Sequence, residues 1–72
     1  MGPQDPKDVA RNTARDLTKI VGELATLKAD AAQWLTDPEY EALRVRLEIA
    51  HVAAKAAVVE ARRQVRLDER RL

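Results

Sequence analysis

Few residues in this chain of 72 could carry acid–base, nucleophilic or metal chemistry. It has one histidine, His51, and neither cysteine nor serine. Without cysteine the chain forms no disulfide and offers no thiolate as nucleophile or metal ligand. It also lacks a glycine-rich phosphate loop and a nucleophile beside a base. These features predict a non-enzyme with no catalytic residue and no cofactor.

One spacing has the character of a metal site. Glu48 and His51 form a Glu-x-x-His step on one predicted helix. This step resembles the di-iron pattern of ferritin-like four-helix bundles and two-helix encapsulated ferritins, and the resemblance implies Glu23 as the glutamate from the other helix. However, Arg44 and Lys55 lie one turn to either side, which favours a charged helix edge with a solvated histidine. We therefore predict no metal site, and Glu23, Glu48 and His51 are the candidate ligands of the alternative, a ferritin-like metal-binding dimer.

Arginines are concentrated near the end of the sequence. The cluster consists of Arg62, Arg63, Arg66, Arg70 and Arg71. It could contact phosphates, which makes a nucleic-acid-binding regulator the alternative function. Against this, Asp68 and Glu69 are interleaved with the arginines, the net charge is only +1, and cations are favoured at any helix C-terminus. Nucleic acid is therefore the less favoured partner.

Two long helices are predicted to position these groups, since the alanine-rich composition favours helix. Asp5 is a suitable N-cap for a helix that begins at Pro6, and the segment 36–38 both ends one helix and starts another. The predicted fold is all-α: an antiparallel, coiled-coil-like two-helix hairpin. We expect a disordered tail at 1–4 and one hairpin over 5–72, with helix 1 at about 6–35, the turn at 36–38 and helix 2 at about 38–70.

Both helices carry apolar residues in alternating steps of three and four, which is typical of a coiled-coil seam. In helix 1 the predicted seam is Ala10, Thr13, Leu17, Ile20, Leu24, Leu27, Ala31 and Trp34, and in helix 2 it is Tyr40, Leu43, Leu47, Ala50, Ala54, Ala57 and Ala61. Trp34 and Tyr40 are expected to pack together beside the turn.

Helix 2 has a second apolar stripe on the side opposite its seam. The stripe consists of Val45, Ile49, Val52, Ala56 and Val59, and Arg63 flanks it. Helix 1 cannot cover both sides of helix 2, so these six residues are the predicted interface with another chain. In a dimer with a twofold axis, the stripe of one chain would pack against the same stripe of the other chain. We expect a homodimer that forms a four-helix bundle, with a tetramer as the alternative.

The predicted function is that of a small interaction or assembly protein, which acts through homo-oligomerisation and through a helix that binds a further protein partner. The first residues lack the basic and apolar segments of a signal peptide, and no stretch has the length of a membrane span. We therefore expect a cytoplasmic protein without a membrane partner. The identity of the protein partner and the cellular process do not follow from the sequence.

Overall fold

The computed structural model describes residues 5–70. Helix α1 spans Pro6–Trp34, a short 3-10 turn spans Pro38–Tyr40, and helix α2 spans Glu41–Arg70. The two α-helices pack against each other as a hairpin, which confirms the all-helical prediction. None of the helices in this part of the chain has the length and apolar character needed to cross a membrane. The predicted tail at 1–4 and Arg71 lie outside the described residues.

Local signals at the helix starts explain where the helices begin. Asp5 is the N-cap of α1, where its carboxylate accepts a hydrogen bond of 2.9 Å from the Lys7 N–H, and Pro6 follows at the first helical position. Both features confirm the expected start. At the turn, Asp37 is the cap residue of the 3-10 segment but makes no side-chain hydrogen bond to the backbone. Pro38 lacks an N–H and therefore separates the two long helices.

The predicted seam was right in part. Its members Ala10, Leu17, Leu24 and Ala31 on α1 and Leu47, Ala54, Ala57 and Ala61 on α2 are half-buried or buried, whereas its other members are exposed because each helix is rotated towards the neighbouring flank. The half-buried and buried positions are Lys7, Ala10, Ala14, Leu17, Val21, Leu24, Lys28 and Ala31 on α1, Leu35 directly after it, and Arg44, Leu47, His51, Ala54, Ala57, Val58, Ala61, Val65 and Asp68 along α2. Four predicted members, Ile20, Leu27, Trp34 and Leu43, are instead 44%, 54%, 73% and 47% exposed. The predicted Trp34–Tyr40 packing therefore does not bury Trp34.

Polar contacts along one edge of the hairpin accompany this rotation. Lys28 forms an ion pair of 2.5 Å with Glu48, and the Arg62 guanidinium donates to the Thr18 hydroxyl at 3.3 Å. Near the turn, the Arg44 guanidinium donates to the Leu35 carbonyl, one of the acceptors left free at the end of α1. In this arrangement the polar edges of the two helices face each other, and the larger apolar side chains of the opposite edge face outwards.

The hairpin buries little of itself. Of residues 5–70, only Ala31 and Val58 are classed as buried, at 5% and 8% exposure. The accessible surface is 5790 Å², whereas a compact monomer of this mass exposes about 4,500 Å². The hairpin therefore exposes about 1,300 Å² more than a compact monomer would. Such a chain has a small hydrophobic core and a large apolar surface.

Gly22 provides a test of helix stability that is independent of packing. It lies inside α1, and a Cβ atom added there would meet no other atom within 4 Å. Glycine in a helix interior costs about 1 kcal/mol relative to alanine. We therefore expect Gly22→Ala to raise the free energy of unfolding by about 1 kcal/mol in urea denaturation followed by circular dichroism. A lower stability would show instead that a neighbouring chain approaches the backbone closely at this position.

Candidate interaction surface

The outer stripe of α2, defined as Val45, Ile49, Val52, Ala56 and Val59, is open to solvent in the hairpin. Val45, Ile49, Val52 and Val59 are 50%, 52%, 54% and 65% exposed. Val45, Ile49, Val52 and Ala56 lie on the side of α2 opposite the seam. Val59 lies at the edge of the stripe, where it lines a groove with Thr18 and Val21 of α1. Arg63 continues the stripe and lies 3.8 Å from Glu60 in an ion pair one turn back.

A second apolar surface was missed by the sequence analysis, which had assigned its residues to the seam. This front face consists of the exposed residues Ile20, Leu27 and Trp34 on α1 and Leu43 and Ala50 on α2. Near the turn it contains a groove of about 350 Å³, lined by Leu27, Asp30, Ala31, Trp34, Leu35, Leu43 and Leu47. The exposure of Trp34 beside this groove is unusual, because a tryptophan buries more area than any other side chain.

The candidate metal ligands do not form a metal site in the hairpin. Glu48 is held by the Lys28 ammonium at 2.5 Å, and the His51 Nδ1 atom lies 3.3 Å from the same ammonium. The hydrogen bond and positive charge of Lys28 lower the pKa of Glu48 below its ordinary value. No group of three potential ligands, such as Glu23, Glu48 and His51 would make, is found within residues 5–70. In the hairpin the Lys28 ammonium, rather than Glu23, lies beside Glu48 and His51.

The basic cluster is placed at the open end of the hairpin. Arg62, Arg66 and Arg70 follow each other at four-residue spacing on α2, and Arg63, Arg66 and Arg70 border one shallow depression. The fold also brings Arg11 of α1 to Arg62 and Arg66 around a second groove. Sequence spacing could not reveal Arg11 as a member, since only the antiparallel return of the chain places it there. Arg11 is in turn paired with Glu69 at 3.3 Å.

Comparison with known proteins found no matching family model, no similar curated protein and no similar solved structure. No relative therefore suggests a role for the outer stripe, the front face or the arginine cluster. Their functions have to be inferred from geometry, exposure and charge.

Proposed function

We propose that this chain is a small, non-enzymatic assembly protein that associates with itself through the outer stripe of α2 and presents the resulting helical bundle to a protein partner. The observation that supports this most strongly is the exposure of four β-branched side chains, Val45, Ile49, Val52 and Val59, at 50% to 65% on one continuous side of a helix. Contiguous apolar strips of this kind mark interaction surfaces. The chain itself has no further helix to cover them within residues 5–70.

Self-association is the simplest way to cover the outer stripe. A twofold axis that passes near Val52, at the centre of the stripe, pairs the outer stripe of one chain with the outer stripe of a second chain. A single substitution therefore changes both sides of the interface. The charged residues that border the stripe carry both signs, including Arg46 and Glu60. Two copies can therefore approach without a net repulsion between like charges. The product is a four-helix bundle built from two hairpins.

Val52→Glu is the direct test of this interface. Val52 is 54% exposed in the hairpin, so a glutamate costs the isolated hairpin little, whereas in a dimer it would place a carboxylate in an apolar contact. Analytical ultracentrifugation is expected to show a smaller assembly for Val52→Glu than for the wild type at equal concentration. The matched control is Thr26→Glu, another β-branched residue replaced on the exposed side of α1, which should sediment as the wild type does. An unchanged mass for Val52→Glu would refute the interface.

Nucleic-acid binding is the second candidate function, and the observation in its favour is the convergence of Arg11 with Arg62 and Arg66 around one groove. Binding through phosphate contacts weakens steeply as salt increases. If this function holds, a labelled duplex should bind at low salt, and the double variant Arg62→Gln, Arg66→Gln should reduce both affinity and the slope of log affinity against log salt. A chain that shifts no duplex or single strand at low salt would exclude it.

A further inference from the structure

The Arg62 side chain spans the space between the two helices at the polar edge of the hairpin. Its guanidinium donates to the Thr18 hydroxyl of α1 at 3.3 Å. Within residues 5–70, Arg62 forms no ion pair, and neither do Lys55 and Arg66, its neighbours on the same side of α2. Three positive charges on this side of the hairpin therefore have no carboxylate partner in the described part of the chain.

Two shallow apolar grooves flank Arg62, which borders both of them. The first, of about 350 Å³, contains Ala14 and Val65, and the second, of about 290 Å³, contains Val21 and Val58. The residues of the two grooves are seven positions apart on each helix, which corresponds to about 10 Å along the helix axis. The two grooves and the Arg62 side chain between them form the Arg62 site.

We infer that the Arg62 site binds an acidic amphipathic helix of a partner protein, with an apolar side chain in each groove and a carboxylate between them on the Arg62 guanidinium. This inference rests on the proposed role in assembly, and it names the chemistry of the protein partner. Arg62 is about 80° around α2 from Val52, the centre of the outer stripe, and the two surfaces meet at Val59. The partner helix and the second copy of the chain therefore contact different sides of α2.

The spacing of the two grooves matches a helix and not an extended strand. On a helix, residues seven positions apart lie on one face and about 10 Å apart. Both can enter the grooves while a residue three or four positions along the helix points at Arg62. In an extended strand the same distance corresponds to about three residues at about 3.3 Å each. Residues three apart in a strand point to opposite faces, so only one of them could enter a groove.

The apolar walls of the grooves favour a peptide over a nucleic acid. Positive charge attracts carboxylates and phosphates alike, and a guanidinium donates hydrogen bonds to either. The valine and alanine side chains, however, gain free energy from the exclusion of water only when apolar groups cover them. Single strands bind proteins by stacking their bases on aromatic side chains, whereas the two aromatic residues of the chain, Trp34 and Tyr40, lie at the turn. A helix that carries apolar side chains and a carboxylate is therefore the better match.

A synthetic peptide tests the inference on the unaltered protein. The probe is a fluorescein-labelled, alanine-rich helix with the pattern Leu-x-x-Glu-x-x-x-Leu, and its reference is the same peptide with Gln in place of Glu. Fluorescence anisotropy at low salt should show that the Glu peptide binds about tenfold more tightly, because hydrogen bonds between charged groups are stronger than those to a neutral amide. No saturable binding of the Glu peptide, or equal affinities for the two peptides, would overturn the inference.

Two substitutions in the protein locate the bound carboxylate. Arg62→Gln removes the guanidinium and should abolish the preference for the Glu peptide, as in a double-mutant cycle. Lys19→Gln is the control, since it removes one positive charge from an exposed position on the side of α1 that faces away from α2. It should retain the preference in full. A preference that persists in helical Arg62→Gln would place the carboxylate elsewhere and refute the Arg62 site.

Competition and sedimentation separate the remaining outcomes. If an unlabelled thymidine oligonucleotide displaces the Glu peptide at a lower concentration than the unlabelled peptide does, the site belongs to nucleic acid and the inference is overturned. Self-association is tested independently with Val52→Glu, which should lose mass in ultracentrifugation and still prefer the Glu peptide. An assembly that dissociates in this way but shows no peptide preference refutes the Arg62 site alone. An unchanged mass with the preference intact refutes the outer stripe alone.

Discussion

Val58→Asp is expected to abolish the helical hairpin. Val58 is one of two buried residues within the described part of the chain, at 8% exposure. Its replacement removes about 1.5–3 kcal/mol of hydrophobic stabilisation and adds the cost of placing a carboxylate against the seam. A single core in a chain of this size rarely supplies more than about 3–5 kcal/mol. We therefore expect Val58→Asp to lose most of its far-ultraviolet circular dichroism signal.

The same substitution on a solvent-facing side of α1 provides the control for Val58→Asp. Thr26 is β-branched, exposed and bonded only to the Gly22 carbonyl at 3.2 Å, so Thr26→Asp changes helix propensity by a similar amount without touching the seam. It should retain its helical signal. Ala31→Asp, at the other buried position, should lose the signal as Val58→Asp does. Full helicity in both seam variants would show that the two helices are not stabilised by the packing described here.

Denaturation is expected to depend strongly on protein concentration. Under the proposed self-association, a hairpin in which only Ala31 and Val58 are buried among residues 5–70 gains much of its stability from contact with its copy, so that unfolding is coupled to dissociation. A hundredfold increase in concentration should then raise the free energy of unfolding by about 2.7 kcal/mol per mole of dimer. Urea curves recorded by circular dichroism at a low and a high concentration measure this shift. Superimposable curves would mean that the hairpin is stable alone. Gly22→Ala is the control and should leave the dependence of unfolding on protein concentration unchanged.

The helix starts and the turn could be predicted because their causes are local. Asp5 and Pro6 define the start of α1, because Asp5 caps the first turn and the ring of Pro6 fixes its φ angle. Pro38 interrupts the helix because it lacks the N–H that a helical hydrogen bond needs. The opposition of the outer stripe to the seam follows from helical periodicity alone. These features need no knowledge of the partner helix, and the structure shows the helices and the hairpin that they predict.

The rotation of the seam could not be predicted because two heptad patterns share Ala10, Leu17, Leu24 and Ala31 and differ only in their flanking positions. One flank holds Ile20 and Leu27, the other Val21 and Lys28. The two patterns differ in the contacts that they allow between residues far apart in sequence, such as the ion pair between Lys28 and Glu48. Such contacts depend on the axial position of one helix relative to the other, which the periodicity of the sequence does not determine.

The same cause hid two parts of the candidate surfaces. The front face was assigned to the hairpin interior because Ile20, Leu27 and Trp34 fit a heptad as well as the true seam does. Arg11 was not associated with Arg62 and Arg66 because only the antiparallel return brings them around one groove. In each case the residue types were visible in the sequence, whereas their neighbours depend on how the two helices meet.

The molecular mass of the native chain in solution tests the central claim most directly. Sedimentation equilibrium of the purified protein, with helicity recorded on the same sample, requires no substitution and no partner. Self-association through the outer stripe predicts a helical species that contains at least two chains of 8.1 kDa each and dissociates on dilution. A fully helical species with the mass of a single chain at every concentration would contradict it.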